Sequence, residues 1–284
     1  MSENQKKIWI TGASSGIGKS LAEKFASEGW KVAVSARRKE ILDKMASNEN
    51  ISSYPLDVTN QDQINEVFTK IISDFKNIDL CVFSSGTYDP KLEQEINIKQ
   101  NKFVMETNFF GVLYCIKSVE KYFKDKKEGH ISIVSSIAAY RGLPNSSGYG
   151  PSKAALTNLT ESLYFDFKKY NVRISLISPG FIRTPLTNKN TFNMPFIKTP
   201  EFAADKIYSG LTKGTAFEVH FPKQLTLFLK FLRILPYRAY LYLIDKFIDH
   251  QTGNKPVKDK LESAKIILGN IMSTYLTPLQ TALD

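Results

Sequence analysis

The feature that most constrains this chain is a regular alternation of short apolar segments and amphipathic segments between residues 7 and 177. The apolar segments are typical of buried strands, and the segments between them carry apolar residues at helical spacing. Strands that alternate with helices form parallel sheets, because each crossover helix returns the chain to the same end of the sheet. The sequence therefore predicts an α/β fold with a doubly wound, mainly parallel sheet.

The predicted elements cover most of the chain. We expect strands at residues 7–11, 31–36, 51–56, 78–84, 130–135, 172–177 and 216–221, and helices at residues 17–28, 40–46, 60–74, 100–123 and 152–169. Residues 185–215 break this alternation, since Pro185, Pro195 and Pro200 interrupt a stretch rich in Thr and Asn. We expect that stretch to be a mobile segment that covers a substrate.

The length of 284 residues suits one large domain, predicted at residues 1–221, with a helical extension at residues 222–284. The extension begins with an aromatic and basic stretch at residues 223–247, in which charges and a proline interrupt the apolar run that a membrane-spanning helix needs. This stretch either lies along a membrane surface, with its basic residues near lipid phosphates, or packs on the core, walls a pocket or forms a dimer contact. Beyond it we expect a linker at residues 251–260 and a final helix at residues 261–275.

The charge balance predicts attraction to anionic partners. Lys and Arg number 38 against 28 Asp and Glu, a formal net charge of +10, which suits phosphorylated cofactors, acidic lipids or nucleic acid. We expect no nucleic-acid partner, because no nucleic-acid-binding module is recognisable. Cys81 and Cys115 lie in apolar segments and the N-terminus has no secretory pattern, so we expect a cytoplasmic protein. The histidines are dispersed, so no metal site is expected.

A glycine-rich turn joins the first predicted strand to the first helix. It reads Thr11-Gly12-Ala13-Ser14-Ser15-Gly16-Ile17-Gly18. Glycines let the backbone approach a pyrophosphate, and the N-terminus of the helix offers unpaired N–H groups and a positive dipole end. Following the first strand of such a series, the turn is typical of the dinucleotide-binding Rossmann fold. Two alternatives are a turn that binds nothing, and a P-loop, which would need glycine where this chain has Ala13.

The end of the second predicted strand indicates which dinucleotide fits. Arg37 and Arg38 follow this strand, and no Asp or Glu occurs between residues 30 and 39. A carboxylate there would pair with the ribose 2′-hydroxyl of NAD, whereas arginine accommodates the 2′-phosphate of NADP. The sequence therefore favours NADP(H) over NAD(H), unless the two arginines merely begin a surface helix.

A tyrosine and a lysine four residues apart enter the helix predicted from residue 152. Tyr149 and Lys153 flank Pro151, a residue favoured in the first turn of a helix. Residues four apart project from one helix face, and an ammonium group beside a phenol lowers the phenol pKa. The pair predicts a general acid/base, although this spacing alone is common by chance.

The ordered motifs together resemble the classical short-chain dehydrogenase/reductase family between about Lys7 and Phe221. They are TGASSGIG at 11–18, LDVT at 56–59, TNFFG at 107–111, IVSSIA at 133–138, YGPSK at 149–153 and SPGFIRTP at 178–185. The resemblance implies a Rossmann fold and an NADP(H)-dependent oxidoreductase that transfers a hydride between the cofactor and a carbonyl or alcohol. It also implies a homodimer or homotetramer.

The resemblance implies a role for each of four catalytic residues. Tyr149 would exchange a proton with the reacting oxygen, Lys153 would hold the nicotinamide ribose and lower the Tyr149 pKa, and Ser136 would polarise the oxygen. Asn108 would order a water that links Lys153 to solvent. Two alternatives stay open, because Ser135 could act in place of Ser136, and Asn108 could be an ordinary amide inside a helix.

The resemblance also implies a cofactor-binding set. Its members are Gly12, Ser14, Ser15, Gly16, Ile17, Gly18, Arg37, Arg38, Asp57, Val58, Gly86, Tyr149, Lys153, Pro179, Gly180, Ile182 and Thr184. Asp57 and Val58 resemble the pair that holds the adenine, and Ile182 and Thr184 resemble the residues that hold the carboxamide, although Thr184 could be a helix cap only.

One segment departs from the family pattern. Phe83-Ser84-Ser85-Gly86 stands where the family usually carries Asn-Asn-Ala-Gly. Gly86 keeps a close backbone approach to a cofactor, but the asparagine amides that knit the sheet are absent.

The substrate is predicted only as a class. Apolar and aromatic residues around 186–200 and in the extension favour a hydrophobic, lipid-like ketone, and NADPH favours reduction. The alternative is a catalytically silent NADP(H)-binding sensor or a scaffold at a membrane surface.

Overall fold

The computed structural model describes residues 5–251. Its strands are β1 (Lys7–Thr11), β2 (Lys31–Ser35), β3 (Ile51–Ser53), β4 (Leu80–Phe83), β5 (Gly129–Val134), β6 (Val172–Pro179) and β7 (Glu218–Phe221). Its α-helices are α1 (Gly16–Ser27), α2 (Lys39–Met45), α3 (Gln61–Phe75), α4 (Ile98–Met105), α5 (Gly111–Lys126), α6 (Tyr149–Lys168), α7 (Pro200–Thr212), α8 (Lys223–Ile234) and α9 (Tyr237–Gln251). The predicted linker and final helix beyond residue 251 lie outside the described residues.

The seven strands form one parallel sheet in the order β3-β2-β1-β4-β5-β6-β7. This order confirms the predicted doubly wound α/β fold. The strand order reverses direction between β1 and β4, so the crossovers on either side of that point leave on opposite faces of the sheet. A crevice opens there at the carboxyl ends of the strands, which is where open α/β sheets bind their ligands.

Apolar side chains cover both faces of the sheet, as the near-continuous apolar strands predict. On one face α3, α5 and α6 pack on the sheet, and Trp9 lies fully buried between Phe68 and Phe83, with ring centroids 5.6 Å away in each case. On the other face α1, α2 and α7 cover the sheet, centred on Phe25. Burial on both faces fixes the sheet as a rigid platform for its loops.

The prediction that residues 185–215 lack regular structure is wrong in its second half. Helix α7 occupies Pro200–Thr212 and packs its buried Ala203 and Ile207 against the sheet. Thr199 caps the helix, since its side chain accepts a hydrogen bond of 3.2 Å from the N–H of Phe202. Pro200 therefore begins the helix instead of interrupting it, because the first helical position needs no N–H donor.

The long helix predicted at 100–123 is present, but it contains a wider turn. Between α4 and α5, residues Glu106–Phe110 form one π-helical turn. Such turns insert one extra residue into a helix and are frequent at functional sites. Asn108 lies in the middle of this turn.

The described chain divides into two compact units, of which the larger comprises residues 5–190 and 194–227 and the smaller residues 191–193 and 228–251. In the smaller unit Leu232, Leu235 and Tyr240 form a small buried cluster. No helix among residues 5–251 is long and apolar enough to cross a bilayer. The division of the chain at residues 221/222 stays a prediction.

Candidate active site

A cleft of about 330 Å³ lies at the carboxyl ends of the strands. Every residue of the predicted cofactor set lines it, together with Ser136. The lining also includes residues outside the predicted cofactor-binding and catalytic sets, namely Ala36, Leu56, Ser84, Ser85, Thr87, Thr107, Val134, Ser135, Pro185, Leu186 and Thr187. The fold thus brings residues from eight separate segments of the chain to one place.

The glycine loop after β1 packs tightly against neighbouring backbone, and side chains on its glycines would not fit. Gly12 has a φ of +70°, and a Cβ built on it would lie 2.8 Å from the backbone of Ser84. A Cβ on Gly18 would lie 2.5 Å from the carbonyl oxygen of Gly12. Ser15, the N-cap of α1, makes no side-chain cap bond to the first turn. The N-terminal amides of α1 can therefore receive a pyrophosphate, the group that this geometry fits.

A cation lies across this loop. The Arg38 guanidinium donates to Ser14 Oγ from Nε at 3.1 Å and from Nη2 at 2.9 Å, and to Ser15 Oγ from Nη2 at 2.8 Å. These contacts hold the guanidinium against the glycine loop, just after the end of β2. Arg37 also lines the cleft, with an exposed side chain.

The segment after β3 supplies a wall of the cleft at Asp57 and Val58. Oδ1 of Asp57 accepts hydrogen bonds from the N–H and the hydroxyl of Thr59, at 3.0 and 2.9 Å. Val58 is buried and faces Gly111, where a Cβ would lie only 2.7 Å from Val58 Cγ2. These contacts fix the backbone of the wall.

Three side chains from β5 and α6 converge on one side of the cleft. Ser136, just after β5, and Tyr149, the first residue of α6, line the same part of the cleft, and the Ser136 hydroxyl is near enough to the phenol to affect its pKa. Lys153 lies one turn along the helix, is 4% exposed, and donates from Nζ to the carbonyl of Val134 at 2.9 Å. Its Nζ lies 5.8 Å from the centre of the Tyr149 ring. A hydroxyl, a phenol and an amine thus face one small space.

The two neighbouring serines point in different directions. Ser135 is buried, and its hydroxyl donates to the carbonyl of Lys153 at 2.8 Å and contacts the Thr157 hydroxyl at 3.0 Å. The Ser136 hydroxyl instead accepts from the N–H of Ala138 at 3.2 Å and reaches Tyr149. Of the two, Ser136 is the one that the structure brings to the phenol.

Burial dominates the electrostatics of the tyrosine and lysine. It raises the pKa of Tyr149, an effect that the neighbouring Ser136 hydroxyl opposes and the nearby charge of Glu93 reinforces. Burial also lowers the pKa of Lys153 to about 8. The net direction for Tyr149 is upward, because desolvation of the phenolate is the largest cause. That Lys153 lowers the Tyr149 pKa stays a prediction.

Asn108 lies behind the cleft instead of lining it. The side chain is fully buried, accepts from the N–H of Thr87 at 2.7 Å, and donates to the Thr87 carbonyl and the Ser152 hydroxyl, both at 3.0 Å. A Cβ built on Gly86 would lie 3.6 Å from Asn108 Oδ1 and 3.5 Å from Lys153 Nζ. The amide therefore ties the loop after β4 to α6 beside the lysine.

The segment after β6 closes the far side of the cleft. The N–H of Gly180 donates to the Phe221 carbonyl at 2.7 Å, and Ile182 pairs with Lys198 in an isolated bridge. Thr187, which the sequence analysis missed, accepts from the Thr184 N–H at 3.0 Å and donates to the Ile182 carbonyl. Its spacing of three from Thr184 was the available signal, since a hydroxyl often bonds to backbone at that distance.

Two residues on the long loop between β4 and α4 were also missed. The ring of Tyr88 lies 4.8 Å from that of Tyr149, and Glu93 accepts from the backbone N–H groups of Gly148 and Tyr149. No short-range pattern marks either residue, because their partners lie more than fifty positions away. Among the described residues there is no cluster of three or more side chains suited to hold a metal ion.

Comparison with known proteins shows which family the chain resembles. Residues 6–194 match the family model described as short chain dehydrogenase. An uncharacterized oxidoreductase of Myxococcus xanthus is 32% identical over 232 residues, which cover 80% of this chain and 91% of that protein. The 3-oxoacyl-(acyl-carrier-protein) reductase FabG of Thermotoga maritima is 33% identical over 189 residues, or 65% of this chain and 77% of that protein.

Solved structures of similar proteins support the same family and fold. A structure of ElxO with NADP bound has 27% identity and a TM-score of 0.69, and covers 76% of this chain and 97% of its own. A short-chain dehydrogenase from Streptomyces avermitilis has 24% identity and a TM-score of 0.74, covers 88% of this chain and 99% of its own, and supports the fold alone. The chain belongs to the short-chain dehydrogenase/reductase family of oxidoreductases.

Proposed function

We propose that this protein is an NADP(H)-dependent oxidoreductase that interconverts a carbonyl and an alcohol, with Tyr149 as its general acid/base. The observation that carries the proposal is the convergence of Ser136, Tyr149 and Lys153 beside a cleft whose opposite end has a glycine loop. A phenol next to a polarising hydroxyl can give a proton to a carbonyl oxygen or take one from an alcohol.

The cofactor assignment rests on the chemistry of the cleft. The glycine loop and the amide end of α1 would hold the pyrophosphate, and Arg38 would pair with a 2′-phosphate. Asp57 and Val58 would contact the adenine, and the segment from Pro179 to Thr184 the nicotinamide end. ElxO, which resembles this chain over 76% of its length, has been solved with NADP and, in a tyrosine-to-phenylalanine variant, with NADPH.

In this proposal the bound nicotinamide supplies the hydride in reduction and accepts it in oxidation. Ser136 hydrogen-bonds the reacting oxygen, and Tyr149 donates its phenolic proton to that oxygen as the carbonyl is reduced. Because the pKa of Tyr149 is raised, the phenol holds its proton at neutral pH, which is the form that reduction requires. Lys153 holds the ribose and stabilises the phenolate that remains, and Asn108 keeps the lysine side of the site in place.

We propose a hydrophobic, lipid-like ketone as the substrate. Support comes from the cleft itself, since Leu186 and Ile182 line it, and from the apolar and aromatic residues that the sequence carries around 186–200. FabG of Thermotoga maritima, named as a reductase of a 3-oxoacyl group, acts on a substrate of related chemistry. A cytoplasmic location and a homodimer or homotetramer complete the proposal.

The test is a screen of NADPH oxidation over ketones of rising chain length, with Tyr149→Phe alongside. We expect Tyr149→Phe to lower kcat by about a thousandfold, within the range for loss of a general acid, and to leave the Kd for NADPH unchanged. Tyr164→Phe, on the exposed face of the same helix, is the matched control. A wild-type protein that binds NADPH and reduces no ketone would disprove the enzyme proposal and favour the sensor alternative.

A second proposal concerns the extension. We infer that α8 and α9 contact an anionic membrane surface. Phe228, Phe231 and Ile234 lie on one side of α8 and are exposed, Ile234 by 76%. Residues 223–251 carry five Lys or Arg and two Asp. Exposed apolar residues among basic ones are typical of helices that lie in a membrane interface.

A further inference from the structure

The loop between β4 and α4 crosses the start of α6, the helix that carries Tyr149 and Lys153. Glu93 on this loop is 2% exposed. Its Oε2 accepts hydrogen bonds from the N–H groups of Gly148 and Tyr149, both at 2.9 Å. The carboxylate therefore contacts the backbone of the residue whose side chain is the proposed acid.

The first turn of α6 depends on this contact. Gly148 is the N-cap and has no side chain with which to bond the helix. The N–H of Gly150 donates to Ser146 Oγ at 2.9 Å, and Pro151 has no N–H. Glu93 is thus the side chain that satisfies the remaining amides, which would otherwise be buried without a partner.

Burying a carboxylate at this position costs free energy, because a charged group loses its hydration. Its second oxygen, Oε1, is buried and has no hydrogen-bond partner among the described residues. A neutral acceptor could satisfy the same two N–H groups without burying a charge. The negative charge does favour the positive end of a helix of twenty residues.

The same loop contacts the site at a second point. The Tyr88 ring lies 4.8 Å from the Tyr149 ring, and its hydroxyl donates to the carbonyl of Asn145 at 3.0 Å. The loop is held in turn by Lys189, whose Nζ lies 3.1 Å from Oδ2 of Asp89. Tyr149 is therefore contacted by this loop on its backbone through Glu93 and on its ring through Tyr88.

We propose that Glu93 is a positioning residue for Tyr149, because it fixes the backbone at 148–149 and so sets where the phenol lies relative to Ser136 and Lys153. The inference rests on the proposed function of Tyr149. Glu93 does not reach the reacting atoms, since its oxygens are occupied by backbone or buried. It acts through the helix that it holds.

The charge has a second consequence. Tyr88 on the same loop and Tyr149 on α6 are titratable groups on which the charge acts. Burial is the largest cause of the raised pKa of both tyrosines, and the negative charge of Glu93 adds to it. Glu93 thereby helps keep the phenol protonated, as an acid in reduction must be.

The experiment compares Glu93→Gln, Glu93→Ala and the control Glu95→Ala, an exposed acid two residues along the same loop. Protein labelled with ¹³Cζ-tyrosine is titrated by NMR, and the Tyr149 signal is identified by its loss in Tyr149→Phe. Amide hydrogen exchange at Gly148 and Tyr149 is measured on the same proteins, and kcat and KM are measured with a ketone from the screen.

In Glu93→Gln we expect the Tyr149 pKa to fall while amide protection persists, because the amide oxygen of glutamine still accepts hydrogen bonds. In Glu93→Ala we expect exchange at 148 and 149 to accelerate roughly tenfold or more, as for loss of a buried hydrogen bond. In Glu93→Ala we also expect kcat to fall while the KM for NADPH stays unchanged. Glu95→Ala should match wild type.

If exchange at both amides and the Tyr149 titration match wild type in both Glu93 variants, the inference is overturned. Neither measurement needs turnover, so a protein that reduces no ketone leaves this test intact. Should Glu93→Ala fail to fold, Glu93→Leu takes its place, since leucine has a similar size and no acceptor, and wild-type exchange at both amides in that variant overturns the inference.

Discussion

At the scale of single residues, the lining of the cleft includes a cation beside the glycine loop, Arg38, and an amine and a phenol on α6, Lys153 and Tyr149. Arg38 is held by Ser14 and Ser15, while Lys153 is held by the Val134 carbonyl. Burial lowers the pKa of the lysine to about 8, so its charge changes near neutrality. Each cation therefore gives a different experimental signature.

We predict that Arg38 determines the preference for NADPH over NADH. We expect Arg38→Ala to raise the Kd for NADPH by roughly tenfold to a hundredfold, since a hydrogen bond to a charged group contributes about 1.5–3 kcal/mol. The Kd for NADH should stay within about twofold, as NADH lacks the 2′-phosphate. Fluorescence titration of both cofactors measures the ratio, with the exposed Lys44→Ala as control. Equal losses for the two cofactors would contradict the assignment.

The lysine signature is a pH profile. Burial lowers the pKa of Lys153 to about 8, so in the free enzyme the ammonium form dominates below that pH and is lost above it. Tyr149, whose pKa is raised, keeps its proton over this range. We therefore expect kcat/KM for ketone reduction to be level below pH 8 and to fall about tenfold per pH unit above it. A profile that stays level to pH 10 would rule out a role for the ammonium form.

At the scale of elements, the N-terminal ends of two helices contribute to the candidate site. The amide end of α1 faces the glycine loop, and the start of α6 carries Tyr149. The sequence predicted both elements, because glycine turns and first-turn prolines act locally. It did not predict that Glu93 caps α6, since that contact depends on how a distant loop folds back.

The error at α7 has a local cause and gives a direct test. Pro200 was counted as a break, although Thr199 before it is an N-cap. We expect Thr199→Ala to lower the free energy of unfolding by about 1 kcal/mol, the usual cost of losing a cap. Urea denaturation measures the change, and the exposed loop residue Thr215 provides the control variant Thr215→Ala. A change as small as that of the control would mean that the cap contributes nothing.

At the scale of the whole molecule, the extension sets the protein's proposed environment. We expect the wild type to co-sediment with anionic vesicles more than with neutral ones, and less in high salt. Phe231→Asp combined with Ile234→Asp should weaken this binding at least about tenfold, because burying each apolar side chain contributes roughly 1.5–3 kcal/mol.

The control is Ile96→Asp, which changes an exposed apolar residue on the loop before α4. If wild-type protein sediments equally with and without anionic vesicles, the membrane proposal is wrong. Packing of the extension or a dimer contact would then account for its apolar residues.

The sequence by itself determined the parallel sheet, the glycine turn and the pairing of Tyr149 with Lys153. These follow from periodicity and from spacings within a few residues, which local backbone geometry converts directly into shape. Only the tertiary structure decided that Ser136 and not Ser135 meets the phenol, that Asn108 lies behind the cleft, and that Glu93 caps α6. Those outcomes depend on contacts between distant segments and on burial, and neither the direction of a side chain nor its desolvation is set by its neighbours in sequence.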